Sequence, residues 1–186
     1  MAESLGNRLP DELVQALGDE ALVAPDQPAF LLITTDPDGA PRICMLSVGE
    51  LFVRDERTLR VALWRGTRTA RNLGRGGTVL LGAVSPGSVI YVRATPRHLT
   101  LPEPTGPDCF ELTVTGVESD VHVGMPVTSG IMFRPDEPDR ATTLTAWRRQ
   151  REILARAAAP ADPAGEPAAL RDPAAPGEPA APGDGR

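Results

Sequence analysis

Ala29-Phe-Leu-Leu-Ile-Thr-Thr35, Asp36-Pro-Asp-Gly39 and Arg42-Ile-Cys-Met-Leu-Ser-Val48 together decide how this chain folds. The outer two segments are apolar and β-favouring, and the Asp-Pro-Asp-Gly between them is a strong turn signal, so the stretch predicts a β-hairpin. A second hairpin is expected just downstream, from Leu51-Phe-Val53 through Arg54-Asp-Glu56 to Thr58-Leu-Arg-Val-Ala-Leu-Trp64. A third strand pair follows, Thr78-Val-Leu-Leu-Gly-Ala-Val84 and Ser88-Val-Ile-Tyr-Val-Arg-Ala94 around Pro86-Gly87. Further on, residues Cys109 to Val123 alternate over a long run. Strands recurring at short spacing with turn signals between them predict a mainly β fold, an antiparallel barrel or sandwich with a few helices.

Helices are expected at the ends and once in the middle. Pro10 and Asp11 open a short one whose apolar face is Leu13, Val14 and Leu17, before Gly18. Asp139 or Thr142 is expected to cap a last helix running to about Arg156, with Leu144, Trp147, Ile153 and Leu154 as its apolar positions. From about Ala157 onward the 186-residue chain is mostly Ala, Pro, Gly, Asp and Glu. Such a composition cannot bury enough surface to offset its ordering entropy. The expected organisation is therefore one domain over residues 1–156 and a disordered tail over 157–186.

Composition narrows the function. The net charge is −6 and the sequence pI about 5.0, which disfavours nucleic acid or an acidic membrane as a partner for the protein as a whole. No stretch approaches the roughly 20 apolar residues of a membrane span, and the N-terminus has no basic start leading into an apolar run, so the expected location is cytoplasmic. All 19 basic residues are arginine. Without lysine there is no Schiff-base chemistry and no complete Walker A loop. Two separated histidines, His98 and His122, and two cysteines without CxxC spacing, Cys44 and Cys109, argue against a dedicated metal site.

One segment carries chemistry. Arg65-Gly-Thr-Arg-Thr-Ala-Arg-Asn-Leu-Gly-Arg75 follows the second hairpin and places four arginines, two threonines and small residues where a strand feeds a helix. Gly66 permits close approach to backbone, Thr67 and Thr69 can cap or donate, and Arg68 can grip a phosphate bidentately. On a helical wheel Arg68, Arg71 and Arg75 lie within about one third of the circumference. By itself the stretch reads either as a phosphate seat or as a solvated basic helix face.

The order of these pieces resembles the pyridoxamine 5′-phosphate oxidase-like flavoproteins. The resemblance rests on Asp38-Gly-Ala-Pro-Arg-Ile-Cys-Met-Leu46, Leu59-Arg-Val-Ala-Leu-Trp64, Gly66-Thr-Arg-Thr-Ala-Arg-Asn-Leu73 and Thr78-Val-Leu-Leu81, and it covers about Ala29 to Tyr91. It implies an FMN-binding split β-barrel, antiparallel and Greek-key-like, working as a homodimer with flavin at the subunit interface and transferring hydride to a small substrate or oxygen. Carried over by position, Arg42, Ile43, Cys44, Met45 and Leu46 line the isoalloxazine and ribityl chain, Ala62 and Leu63 lie beside the ring, and Thr67 and Arg68 bind the phosphate. The family's phosphate lysine is Thr69 here, and a second lysine position is Ser47. Arg65 or Arg71 stands ready to compensate. The substrate-binding C-terminal segment of true pyridoxamine-phosphate oxidases is not recognisable, so vitamin B6 oxidation is not expected. The same fold holding a deazaflavin or a haem, and a non-catalytic dimeric binding protein with a degenerate cofactor site, stand as alternatives.

Other residues read mainly as structure. Cys44 reads as a small core residue that could also lie near a flavin. Trp64 and Trp147 read as packing residues, with Trp64 placed to border a flavin or a subunit contact. The aspartates of Asp36–Asp38 read as turn chemistry.

Overall fold

The computed structural model describes residues 2–101 and 106–158. In chain order the elements are β1 (Ala2–Gly6), α1 (Asp11–Ala16), α2 (Asp19–Val23), β2 (Gln27–Pro28), β3 (Phe30–Thr35), β4 (Pro41–Leu46), β5 (Leu51–Asp55), β6 (Thr58–Leu63), α3 (Arg68–Gly74), β7 (Val79–Ser85), β8 (Ser88–His98), β9 (Asp108–Asp120), β10 (Met132–Phe133) and α4 (Arg140–Arg156). A single 3₁₀ turn, Val48–Glu50, joins β4 to β5. The hairpins expected from the sequence are all present. β3 and β4 pair antiparallel from Phe30↔Leu46 to Thr35↔Pro41 around the Asp36–Gly39 turn, whose Gly39 has φ +85°.

Eight strands make one antiparallel sheet in the order β4-β3-β7-β8-β9-β6-β5, with β1 also pairing with β9. The sheet curls around a core of alternate residues, among them Phe30, Leu32, Leu46, Leu59, Val61, Leu81, Val92, Phe110 and Leu112. Strands β4 and β5 end the sheet, so the barrel is split between them. The other face of β6, β8 and β9 holds a second cluster, Ala62, Leu99 and Cys109, covered by Leu154 and Ala157 at the end of α4.

Several bounds differ from the sequence reading, each for a tertiary reason. β8 runs four residues past Ala94 to His98 because β9 offers it a continuous partner, through His98↔Phe110. β9 stops at Asp120, short of the Val123 expected from the alternation, so His122 lies beyond the strand. β1 and α2 carry no periodicity strong enough to announce them. Helix α4 starts at Arg140 with Asp139 at its cap position, but neither Asp139 nor Thr142 caps it through a side chain. The packed chain continues two residues past Arg156: Ala157 is buried, and Ala158 exchanges backbone hydrogen bonds with Thr100 at 3.0 and 3.2 Å. Residues 159–186, most of the expected tail, lie outside the described residues, as do residues 102–105 of the loop before β9.

A charged network fastens α4. Arg60 and Glu111, a cross-strand pair on β6 and β9, are 4% and 5% exposed. Arg60 donates to Glu111 Oε2 through Nε and Nη2, both at 3.2 Å, and its Nη1 donates to the Leu154 carbonyl at 2.7 Å, supplying a partner to the C-terminal turn of α4. Arg54 and Arg97 donate to the same carboxylate at 2.7 and 2.8 Å. Burial works against the charge on Glu111, yet the three guanidiniums outweigh it and hold its pKa below the ordinary value.

Candidate functional site

Helix α3 begins as its sequence requires. Thr67 is extended, and its Oγ1 accepts from the Ala70 N–H at 3.2 Å, so the hydroxyl is a helix cap. Gly66 just before it has φ +72°, a conformation that strains any residue with a Cβ. Ala70 and Leu73 anchor the helix in the core. This puts Arg68 outside, at the edge of the molecule facing solvent.

The four arginines of the segment divide sharply. Arg71 Nη1 donates back to the Gly66 carbonyl at 2.8 Å. Arg75 Nη2 donates to Asn72 Oδ1 at 2.6 Å and to the Thr35 carbonyl at 3.3 Å. Arg65 Nε stands 3.7 Å from Asp108 Oδ1. Arg68 has neither a hydrogen bond nor a salt bridge among the described residues. Arg71 and Arg65, expected as compensation for the missing lysine, are thus engaged with the protein itself.

Strand β4 alternates as a pleat must. Ile43 and Met45 point outward, 63% and 52% exposed, while Leu46 is buried and Cys44 packs half-buried against the core. The Cys44 thiol is pushed up by burial and by the Glu50 carboxylate, against the Thr69 hydroxyl that lies beside it. Thr69 is buried in that contact. It is therefore turned toward β4 and away from the solvent side where Arg68 emerges. Ser47, where the family resemblance expects a second lysine, is also buried: its N–H and Oγ donate to Glu50 Oε2 at 2.7 and 2.9 Å, bracing the 3₁₀ turn.

Ala62 and Leu63 are buried within the single chain, Ala62 under α4 and Leu63 in the barrel core, so only their backbone could meet a ligand. Trp64 does not pack: it is 80% exposed, directly after β6. Trp147 does pack, against Gly49 of the 3₁₀ turn. His98 is exposed and meets the Phe110 ring edge-on at 5.0 Å.

The sequence reading missed the link between β4 and α3. Asp36, taken there as turn chemistry alone, accepts from Arg42 Nε on both oxygens at 3.0 Å and from Arg42 Nη2 at 2.9 Å. It also accepts from Asn72 Nδ2 at 2.8 Å. Arg42 and Asn72 pull the Asp36 carboxyl down to about 2, with Arg68 adding a small effect through space. Asp38 does behave as a turn residue, accepting from the Ala40 N–H at 3.1 Å. A local sequence pattern could not show Asn72 meeting Asp36, since 36 residues separate them.

The structure therefore links Arg42 and Cys44 of β4 to α3, through Asp36 and Asn72 and through Thr69, with Thr67 and Arg68 at the start of that helix, and leaves Ile43, Met45 and Trp64 as exposed apolar side chains. A guanidinium with no partner among the described residues suits an anion, and Ile43 and Met45 give the end strand β4 an apolar outer side.

No protein-family model matches the chain. YclD of Bacillus subtilis (strain 168), an uncharacterized protein, is 29% identical over 152 residues, which span 81% of this chain and 97% of YclD. Among solved structures, a Lactobacillus delbrueckii protein provisionally named a pyridoxamine 5′-phosphate oxidase superposes with TM-score 0.50 at 20% identity, over 62% of this chain and 98% of that one. HupZ of Group A Streptococcus gives TM-score 0.48 at 12% identity, over 69% and 99%. The fold is the split β-barrel of the pyridoxamine 5′-phosphate oxidase-like proteins.

Proposed function

We propose that this split barrel binds a flavin, FMN in first place, and acts as a small-substrate oxidoreductase in the form of a homodimer. The observation that carries the reading is Arg68: the guanidinium of its segment with no hydrogen bond or salt bridge among the described residues, exposed and near enough to Asp36 to act on its charge. Arg68 would hold the phosphate, by charge-assisted hydrogen bonds each contributing about 1.5–3 kcal/mol. The backbone of β4 would orient the ring system. The exposed Ile43, Met45 and Trp64 support a second copy closing the site, because apolar side chains this bare are commonly covered in an assembly. A bound flavin supplies hydride transfer; the protein supplies binding, orientation and exclusion of water.

The buried Thr69 and Ser47 bear on the two lost lysines. Both side chains are tied into the fold, so neither substitution leaves a gap in the site's lining.

Titration of the full-length protein with FMN, a deazaflavin and haem, followed by absorbance and thermal shift, tests the reading. A dominant response to FMN that Arg68→Ala weakens by about tenfold or more is expected, from the loss of one charge-assisted contact. A protein that answers to none of the three would leave the non-catalytic binding protein as the better account. Sedimentation at several concentrations tests the dimer.

A further inference from the structure

One carboxylate joins the two halves of the proposed site. Asp36 lies at the start of the β3–β4 turn and binds Arg42 of β4 and Asn72 of α3 together. Asn72 Nδ2 also donates to Thr34 Oγ1 at 3.0 Å, and its Oδ1 accepts from Arg75. Thr34 and Asn72 are both buried. Two features make this cluster more than a turn. Helix α3 has only seven residues, too few to hold an orientation without tertiary contacts. Its apolar anchors, Ala70 and Leu73, fix its depth, and Asn72 fixes its rotation. Arg68 stands four residues before Asn72, on the same face of the helix, so the fastening of Asn72 sets where Arg68 emerges.

The second feature is how far the carboxylate is already engaged. A carboxylate offers about four acceptor positions. Three N–H donors engage Asp36: Arg42 Nε, shared between both oxygens, Arg42 Nη2 and Asn72 Nδ2. Arg68 is near enough to feel its charge but makes no hydrogen bond to it, the carboxylate being engaged by Arg42 and Asn72. An Asp36 released from Arg42 and Asn72 would compete for that guanidinium.

We infer that Asn72 and Asp36 are positioning residues for the phosphate end of the ligand: they orient α3 against the cofactor strand and keep Arg68 free of internal partners. This rests on the flavin reading above. Arg42, expected from the family resemblance among the cofactor-lining residues, thereby has a side chain committed to Asp36 and a part in the same fastening.

The test compares FMN with riboflavin, which has the same ring but no phosphate, on the full-length wild type, Asn72→Ala and Asn72→Leu. Alanine favours the helix and leaves space, and leucine keeps the branched shape and fills the site, so one of the two guards against loss of fold in the other. Wild type is expected to prefer FMN. In both variants the FMN-over-riboflavin ratio should fall about tenfold or more, the scale of one charge-assisted contact, while riboflavin affinity stays within about twofold. Riboflavin binding is thus a control for an intact ring site in each sample. Equal losses for the two ligands, or an unchanged ratio, would overturn the inference while leaving the flavin reading standing. A wild type that binds neither flavin would remove the reading and the inference with it.

Discussion

Gly49→Ala is the most severe single-methyl change this fold offers at the α4 interface. A Cβ built at Gly49 would lie 2.1 Å from Trp147 Cγ, 2.3 Å from Cδ1 and 2.4 Å from Cβ. Carbon atoms settle about 3.5–4.0 Å apart, so about 1.5 Å must be found. It cannot come from a rotamer change alone, because Trp147 Cβ is itself in the clash and is bound to the α4 backbone. Either the helix lifts from the 3₁₀ turn or the turn deforms. Overpacking a filled site costs about 1–3 kcal/mol, and a clash on this scale belongs at the upper end, about 3 kcal/mol. For a domain of this size that is a drop in Tm of roughly 6–12 °C. Trp147→Ala alone should cost about 2 kcal/mol, less than the 3–5 of a fully buried aromatic because Trp147 is half-buried. The double variant loses the indole but keeps the Cβ at position 147, 2.4 Å from the new methyl, so it should recover only part of the Gly49→Ala penalty, a coupling of about 1–2 kcal/mol. Urea unfolding of the four proteins measures this. Additive single costs, or a Gly49→Ala penalty under about 0.5 kcal/mol, would refute the packing described here.

Three further outcomes follow from other parts of the molecule. Glu111→Gln should lower stability by about 3 kcal/mol, since it leaves the buried Arg60 without its counter-charge, and the Arg60→Met/Glu111→Leu pair should recover much of that loss in denaturant melts. The Asp36 carboxyl, about 2 in the fold against about 3.9 unfolded, contributes stability that is fully present above pH 4 and is lost as pH falls toward 2. Melting curves of Asp36→Asn should therefore be flatter across that window than those of wild type, with the share due to Glu111 remaining in both; parallel acid limbs would contradict the assignment. Ile43→Glu, on the exposed side of β4, should leave the monomer's melting temperature nearly unchanged while shifting sedimentation toward monomer, and a dimer that persists would place the subunit contact elsewhere.

The parts of this fold that were legible in the chain are those whose signals are local. Asp36–Gly39 specifies a turn within four residues, and the flanking runs specify strands by alternation and β-branching. Thr67 caps α3 as a threonine before a helical run does anywhere. The same is true of Leu13 and Leu17, which face the core at helical spacing. The order of hairpins and arginine segment was enough to point to the split barrel.

What the chain could not announce depends on partners distant in sequence. Trp64 and Trp147 carry the same local preference, yet one is bare and the other packed, because only Trp147 meets a glycine across the fold. Among Arg65, Arg68, Arg71 and Arg75, nothing in the segment marks Arg68 as the cation without a partner among the described residues. That follows from where the acceptors lie: Asp108, the Gly66 carbonyl, and the Thr35 and Asn72 oxygens. The sequence by itself determined the strands, the turns and the position of a basic segment after the second hairpin. Only the tertiary structure decided which charges are spent inside the protein and which remain for a ligand, because pairing is settled by distances between side chains that the chain brings together only on folding.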